Sequence, residues 1–284
     1  MTEADVPAAA KVGRDALNAL YPVEFQPADD AAREAHRVRS EGRVGHLLRT
    51  DPDGAWVSVT EDGEVVGIAL ALVREGVWGL SLFGVRTGMQ GQGIGGPLLN
   101  ASLQTAEHAR AAIILSSADP RAMRRYFRAG FALRPCLAAA GPINRSRIPS
   151  GLRSRAGDAG RDADTIAAAS RHVRSAEHGP DVAAMLATGG ELLVYEGRGW
   201  AVVRDGSPVI VAAFDDEAAT DLLWSCFAAG RPGESVHVDF ISQSNDWAAA
   251  VVLDMGLSLT PDGPVFTRGD LGPLAPYLPS GAYL

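Results

Sequence analysis

The stretch Phe83-Gly-Val-Arg-Thr-Gly-Met-Gln90-Gly-Gln-Gly-Ile-Gly-Gly96-Pro-Leu-Leu99 decides how this chain is read. It leaves a β-rich apolar run, crosses a glycine-rich loop and enters a segment whose apolar residues, Leu98, Leu99, Leu103 and Ala106, recur at helical spacing. The first amides of a helix have no intrahelical acceptor, and the helix dipole places partial positive charge on them. Glycines let that backbone wrap around an anion with no Cβ in the way. No acidic side chain stands between Gln90 and Gly96, so a diphosphate could rest on these N–H groups. Hydrogen bonds to a charged group contribute about 1.5–3 kcal/mol each, so several together would anchor a nucleotide-like molecule.

Upstream of the loop, two β-rich runs at 55–60 and 64–72 flank Glu61-Asp62-Gly63, the turn chemistry of a tight hairpin. Arg74-Glu75-Gly76 then turns into a third strand over 77–85, which makes an antiparallel meander. Residues 5–20 have the spacing of a helix, with Asp5 placed to cap its first turn and Tyr21-Pro22 to close it. Downstream, residues 111–117 form a short strand, Asp119-Pro120 opens a helix with proline at its first position, and Gly130 ends it. Gly91, Gly93 and Gly96 also satisfy the GxGxxG pattern of dinucleotide folds. Those folds, however, place the first glycine directly after a strand of a parallel sheet, whereas here residues 86–90 intervene and an antiparallel meander precedes.

Two separated motifs resemble those of the GNAT superfamily of acyl-CoA-dependent N-acyltransferases. Gln90-Gly-Gln-Gly-Ile-Gly95 is similar to the family's Q/R-x-x-G-x-G/A diphosphate loop, and Ala122-Met-Arg-Arg-Tyr126-Phe-Arg-Ala-Gly130-Phe131 to its A-x-x-x-Y-x-x-x-G-F helix. The resemblance covers roughly residues 2–147. It implies an α+β fold, a mostly antiparallel mixed sheet flanked by helices, with acetyl-CoA as cosubstrate, no metal, and a primary amine of a small molecule or peptide as acceptor. Carried onto this sequence, it implies that Phe83, Gly84 and Val85 pair through their backbone with the pantetheine arm. The amides of Gln90, Gly91, Gln92, Gly93, Ile94, Gly95 and Gly96 would then hold the diphosphate. Tyr126 would lie beside the thioester sulfur, where a phenol, neutral at pH 7, can give a proton to the departing thiolate.

Two departures from the family pattern stand out. Asp119 takes the place of an asparagine that touches the cofactor in many members, and its carboxylate either repels a phosphate or serves as a helix N-cap. Thr87 stands where many members carry proline. The third strand offers no carboxylate or histidine, so the amine's proton must leave through water, through Ser116 or Ser117, or through a residue from elsewhere. Glu24 is one candidate, and His237 with Asp239, which alternate along a strand and share its face, are others.

The second half repeats the first in order. Arg204-Asp205-Gly206 matches Arg74-Glu75-Gly76, and Gly256-Leu257 matches Gly130-Phe131, with Ala248 on Ala122. Aligning Ala163-Asp164 with Ala4-Asp5 leaves a short strand near 152–156 whose counterpart would precede Met1, so the first strand of the first domain is expected to be missing. Where the first half has its glycine-rich loop, the second passes directly into Asp215-Asp216-Glu217, and the tyrosine position becomes Val252. Two unit charges 4 Å apart repel by about 4 kcal/mol at an effective dielectric of 20, so carboxylates at that helix start exclude a diphosphate. The expected organisation is an acetyl-CoA-binding domain over 1–147 and a degenerate GNAT-like domain over 148–284. Trp200, Trp224 and Trp247 read as core packing, and the proline-containing tail 269–284 as an extended segment lying across a surface.

Composition tilts only slightly toward a neutral or cationic small-molecule partner, since net charge bears on encounter and solubility rather than chemistry. The 284 residues carry 34 acidic and 26 basic side chains, a net charge of −8, and every basic residue but Lys11 is arginine. A phosphate-backbone binder carries the opposite sign, so no nucleic-acid partner is expected. Cys136 and Cys226 have neither CxxC spacing nor neighbouring histidine ligands and read as free thiols. The longest apolar run, 65–73, is too short to cross a bilayer, and the amino terminus has no basic-then-apolar pattern, so a cytoplasmic protein without a membrane partner is expected. Nothing indicates an oligomer. A non-catalytic acyl-CoA-binding or sensing protein, and a structural pair without cofactor, are the alternatives.

Overall fold

Small and apolar side chains at Ala9, Ala10, Val12, Gly13 and Ala16 form one stripe of helix α1 (Val6–Asn18), which lets it lie close on a sheet. The computed structural model describes residues 1–20, 27 and 29–284, so Tyr21-Pro22 and Glu24 lie outside the described residues. Asp5 does not cap α1. A short 3₁₀ turn over Glu3–Asp5 precedes the helix, and the Asp5 carboxylate instead accepts from the N–H and hydroxyl of Thr2, at 2.7 and 2.9 Å. Helix α2 (Asp30–Thr50) is capped by Asp29, which accepts from the N–H of Ala32.

The meander forms as expected from β1 (Ala55–Val59), β2 (Val65–Arg74) and β3 (Val77–Val85). Glu75 and Gly76 both adopt positive φ, 45° and 78°, at the turn between β2 and β3. Then come α3 (Gly95–Gln104), β4 (Ala111–Leu115), α4 (Pro120–Arg128) and β5 (Ala132–Pro142). The second half repeats this order through β6 (Arg155–Ala156), α5 (Ala163–Arg174), α6 (Asp181–Ala187), β7 (Glu191–Tyr195), β8 (Gly199–Arg204) and β9 (Ser207–Ala213). It continues through α7 (Asp216–Ala229), β10 (Ser235–Ser242), α8 (Asp246–Met255) and β11 (Ser258–Gly269). The fold is α+β, with mostly antiparallel sheets flanked by helices.

The two halves exchange strands. One sheet runs β1-β2-β3-β4-β11-β5-β10, so β11 of the second half lies between β4 and β5 of the first. By the same pairing β5 lies between β11 and β10. The β5–β11 ladder is close to two-fold symmetric, with Ser258 opposite Ala140 at one end and Thr267 opposite Ala132 at the other. The second sheet, β12-β9-β8-β7-β6, ends in β12 (Tyr277–Leu278).

A single apolar cluster joins α1, α2 and β2 to α5, α6 and β8, with Leu47, Ile68 and Leu70 packed in the same core as Val173, Met185 and Trp200. At its edge the Arg74 guanidinium bonds Asp181 at 2.7 and 2.8 Å and Asp51 at 2.8 and 2.9 Å, while His46 Nε2 meets Asp181 at 2.7 Å. Trp200, Trp224 and Trp247 are all buried. Both cysteines are buried free thiols, and burial pushes Cys136 up to about 11. Among the described residues no helix is long and apolar enough to cross a membrane.

The tail departs from expectation. It does not lie across a surface: β12 adds an edge to β9, and Tyr277, Leu278, Tyr283 and Leu284 are buried. The apolar side chains outweigh the donors lost to its prolines, and Leu284 fills the space over Gly79, where a Cβ would stand 1.8 Å from Leu284 Cδ1.

The shared ladder yields a stability prediction. A chain ended at residue 147 loses β11, which exposes the facing edges of β4 and β5. It should aggregate and show no cooperative thermal transition by circular dichroism; a soluble fragment with a sharp transition would contradict this.

Candidate active site

The site begins where two strands part. β3 and β4 run parallel only from Val77 to Leu80 against Ala111 to Ile114. β4 then follows β11, with Leu115 opposite Val265 and the Ser116 N–H donating to Pro264 O at 3.1 Å. β3 bulges at Ser81, since Leu70 faces Leu82 while Ala71 faces Leu80, and continues alongside β2. Phe83, Gly84 and Val85 therefore pair with Ala69, Ile68 and Gly67 on one side and meet no strand on the other. The opening is a cavity of about 500 Å³ lined by these residues, the glycine-rich loop, Tyr126 and part of the second half. α1 closes its floor: a Cβ at Gly84 would stand 3.0 Å from Ala16 Cβ.

Among the described residues, none of the main-chain N–H groups from Gln90 to Gly95 has a backbone acceptor in the loop. Gly91 and Gly93 adopt φ of 84° and 90°, and nothing lies within 4 Å of where their Cβ atoms would be. The Gln90 and Gln92 side chains brace the loop by donating to Val85 O and Gly88 O, at 3.1 and 3.2 Å. α3 starts with no acidic residue in its first turn and no side-chain cap, so its amino terminus is an open anion cradle. Gln90, Gly91, Gly93, Ile94 and Gly95 line the cavity, whereas Gln92 does not; Gly96 lies just behind it, and a Cβ there would be 3.2 Å from Arg125 Nη1. Arg125 thus covers the helix start with a guanidinium, a contribution missed by sequence reasoning. Its signal was its place next to Tyr126 on the same helix, where Arg121, Arg124 and Arg128 also line the cavity.

Tyr126 is 5% exposed, its ring packed edge-on against Phe83 and Phe266 with centroids 6.4 and 5.5 Å apart. Its residue lines the cavity and its hydroxyl has no protein partner among the described residues. Burial pushes the phenol above its ordinary value, so it holds its proton throughout the physiological range. Asp119 is the N-cap of α4, accepting from the N–H of Arg121 at 2.9 Å. Burial opposes its charge, but the Arg121 fork more than offsets that, and its carboxyl sits below the usual range. The Arg121 guanidinium also counters repulsion of a phosphate.

The proton-acceptor candidates separate. Ser116 and Ser117 line the cavity, but the Ser116 hydroxyl donates to Ser117 O at 2.7 Å. His237 does not line it; its side chain is 64% exposed and its Nε2 stands 4.0 Å from Asp239. Asp239 does reach the cavity, because β10 bulges between Val238 and Ile241. Beside it stands Asp262 on β11, which sequence reasoning missed because only the strand exchange brings it to the first half. Asp262 accepts from the N–H groups of Phe240 and Gly263 at 3.0 and 2.6 Å, and burial, helped by Asp239, raises its carboxyl above the usual range.

The corresponding helix start in the second half is filled from within. Asp215 caps α7 by accepting from the N–H of Ala218, and Arg198 bridges Asp215 and Glu217. Val252 is fully buried in the core.

Residues 14–131 match the model of the acetyltransferase (GNAT) family. These residues form a GNAT-family acetyltransferase domain. Solved structures with the same fold include a candidate acetyltransferase of Pyrococcus horikoshii, 16% identical with a TM-score of 0.78, covering all of this chain and 94% of that one. A GCN5-related N-acetyltransferase from Sphaerobacter thermophilus is 17% identical, with a TM-score of 0.57, over 94% of this chain and 93% of its own. Eis1 from Mycobacterium abscessus is 15% identical, with a TM-score of 0.52, over 94% of this chain and 72% of its own. No curated protein sequence matches. Acetyl transfer from acetyl-CoA is the chemistry of the GNAT family, and the orphan amides of this GNAT domain fit a diphosphate.

Replacing both Gly91 and Gly93 by alanine puts Cβ atoms on residues held at positive φ, at about 1–2 kcal/mol each. Coenzyme A affinity, measured by calorimetry, should fall by more than about tenfold, and Arg125→Ala should weaken it by a similar factor. Unchanged affinity in both variants would remove the loop from the binding site.

Proposed function

We propose that the protein is an acetyl-CoA-dependent N-acetyltransferase acting on a primary amine, with residues 1–147 as the cofactor-binding unit and 148–284 completing the acceptor site. The observation that carries this reading is the set of unpaired loop amides at Gln90, Gly91, Gly93, Ile94 and Gly95, residues that line the same cavity as Tyr126 with its unpaired hydroxyl. These amides and Arg125 bind the diphosphate, and the free edge of Phe83, Gly84 and Val85 aligns the pantetheine arm. Acetyl-CoA, when bound, supplies an activated acyl group. Tyr126 holds a proton at its hydroxyl for the departing thiol, and the apolar ring contacts around it exclude water.

Asp239 and Asp262 draw the protonated amine to the opposite wall, and Asp262 takes its proton before attack. Asp262 suits that role because two main-chain N–H groups fix its carboxylate. Its raised pKa brings it closer to that of the amine. The net charge of −8 favours encounter with a cationic acceptor.

A panel of small amines and peptides, assayed for acetyl-CoA turnover, tests the reading. Tyr126→Phe should keep coenzyme A affinity and lose about a hundredfold in kcat. Asp262→Asn should lower kcat/KM by at least about tenfold and abolish its acid limb, because the rate falls as Asp262 protonates at a pH above that of an ordinary aspartate. Binding of acetyl-CoA without turnover of any amine would favour a non-catalytic acyl-CoA-binding protein instead.

A further inference from the structure

A second, smaller cavity of about 160 Å³ lies between the halves, walled by α1 and α2 on one side and by β8, β9 and the tail on the other. Its charged and titratable lining is Arg14, His36, Arg39, Arg43, Arg204 and the hydroxyl-bearing ring of Tyr283; among the described residues no carboxylate lines it. In a chain of net charge −8, four guanidiniums facing one small space without a counter-charge is a local inversion. Arg74, by contrast, is buried together with its acids, Asp51 and Asp181.

The cations here are short of partners as well as of counter-charge. Arg14 Nη1 and Arg204 Nε are buried with no hydrogen-bond partner. Arg39 makes no ion pair among the described residues. Arg43 donates only to neutral oxygens, Ser81 Oγ at 2.9 Å and Gly281 O at 3.2 Å, and Arg204 Nη2 reaches Thr188 Oγ1 at 3.3 Å. Tyr283 is 4% exposed, and its hydroxyl has no protein partner among the described residues. Burial depresses Arg43 to about 10, lowers Arg204 with help from Arg39, and lowers His36 with help from Arg39 and Arg14. The four arginines are half-buried, and partly desolvated cations without a paired acid are costly, so an anion that reached all of them would recover part of that cost.

We propose that this cavity is a binding site for a small oxyanion, a phosphoryl or carboxylate group, held by Arg14, Arg39, Arg43 and Arg204. A water molecule's share of liquid volume is about 30 Å³, so the space admits one such group with a few waters and excludes a nucleotide. Planar guanidinium forks suit both oxyanions. The site is separate from the proposed acetyl-CoA cradle, although Arg43, Leu17 and Leu82 line both cavities, and it stands whether or not the protein transfers acetyl groups.

Calorimetry and thermal melting with inorganic phosphate and, separately, succinate, at constant ionic strength set by sodium chloride, test it. At least one of them should bind saturably with one-to-one stoichiometry and raise the melting temperature. Saturation by phosphate alone assigns a phosphoryl group, and by succinate alone a carboxylate. Arg39→Gln and Arg14→Gln should each weaken binding by at least about fivefold, and by removing an uncompensated cation should leave the ligand-free melting temperature unchanged or higher. No saturable binding of either anion, or binding that survives the double variant, would overturn the proposal.

Discussion

The strand β11 between β4 and β5 is the constraint on which the rest depends. β4 follows β11 at its carboxyl end and abandons β3, and that separation is the cavity. The same strand carries Asp262 to the cavity wall and Phe266 against Tyr126. A sheet edge that one half leaves unpaired is satisfied by the other, so neither half presents the exposed ladder groups that would template aggregation. The near two-fold symmetry of the β5–β11 ladder follows from duplication, since each half offers its long terminal strand to its twin.

Much of this was legible in the sequence, for identifiable reasons. The meander, the loop and the two following helices were legible because their signals are local: the turn dipeptides, the helical spacing of Leu98 and Leu99, the proline after Asp119. Asp119 as N-cap is local as well. The strand exchange was not legible, because a β-strand's alternation records which face is buried and says nothing of which partner lies beside it. Asp262 stayed hidden for that reason, and Asp239 was read with His237 as a pair on one regular strand, whereas the bulge turns Asp239 alone to the cavity. The tail differs in another way: its prolines read as an extended segment lying across a surface, whereas β12 joins the sheet edge and Tyr277, Tyr283 and Leu284 are buried. Glu24 lies outside the described residues.

Duplication has divided two incompatible demands. An open anion cradle leaves helix amides unpaired, whereas a stable helix start wants a carboxylate cap. The α3 terminus keeps the first arrangement, with glycines, no acid and Arg125 overhead. The α7 terminus adopts the second, with Asp215 on the Ala218 amide and Arg198 joining Asp215 to Glu217. Val252 in place of Tyr126 completes the change, filling with a methyl-bearing side chain a position where the first half keeps an unpaired hydroxyl.

The freed half is then able to carry charge where a cofactor-binding half could not. Carboxylates beside a diphosphate cradle repel its ligand, and among the described residues of the first half the one acid lining the cavity, Asp119, is held by Arg121. The acids that the proposed function assigns to a cationic acceptor come from strands outside the glycine-rich loop and α4, and bulges in β10 and β11 deliver Asp239 and Asp262 from that direction. Charges of opposite sign are thereby separated across one cavity, with the arginines of α4 on the cofactor side and the two aspartates on the other. Under the proposed function that polarity is what would bring an anionic cofactor and a cationic acceptor together at Tyr126, and it arises because the two halves share a sheet.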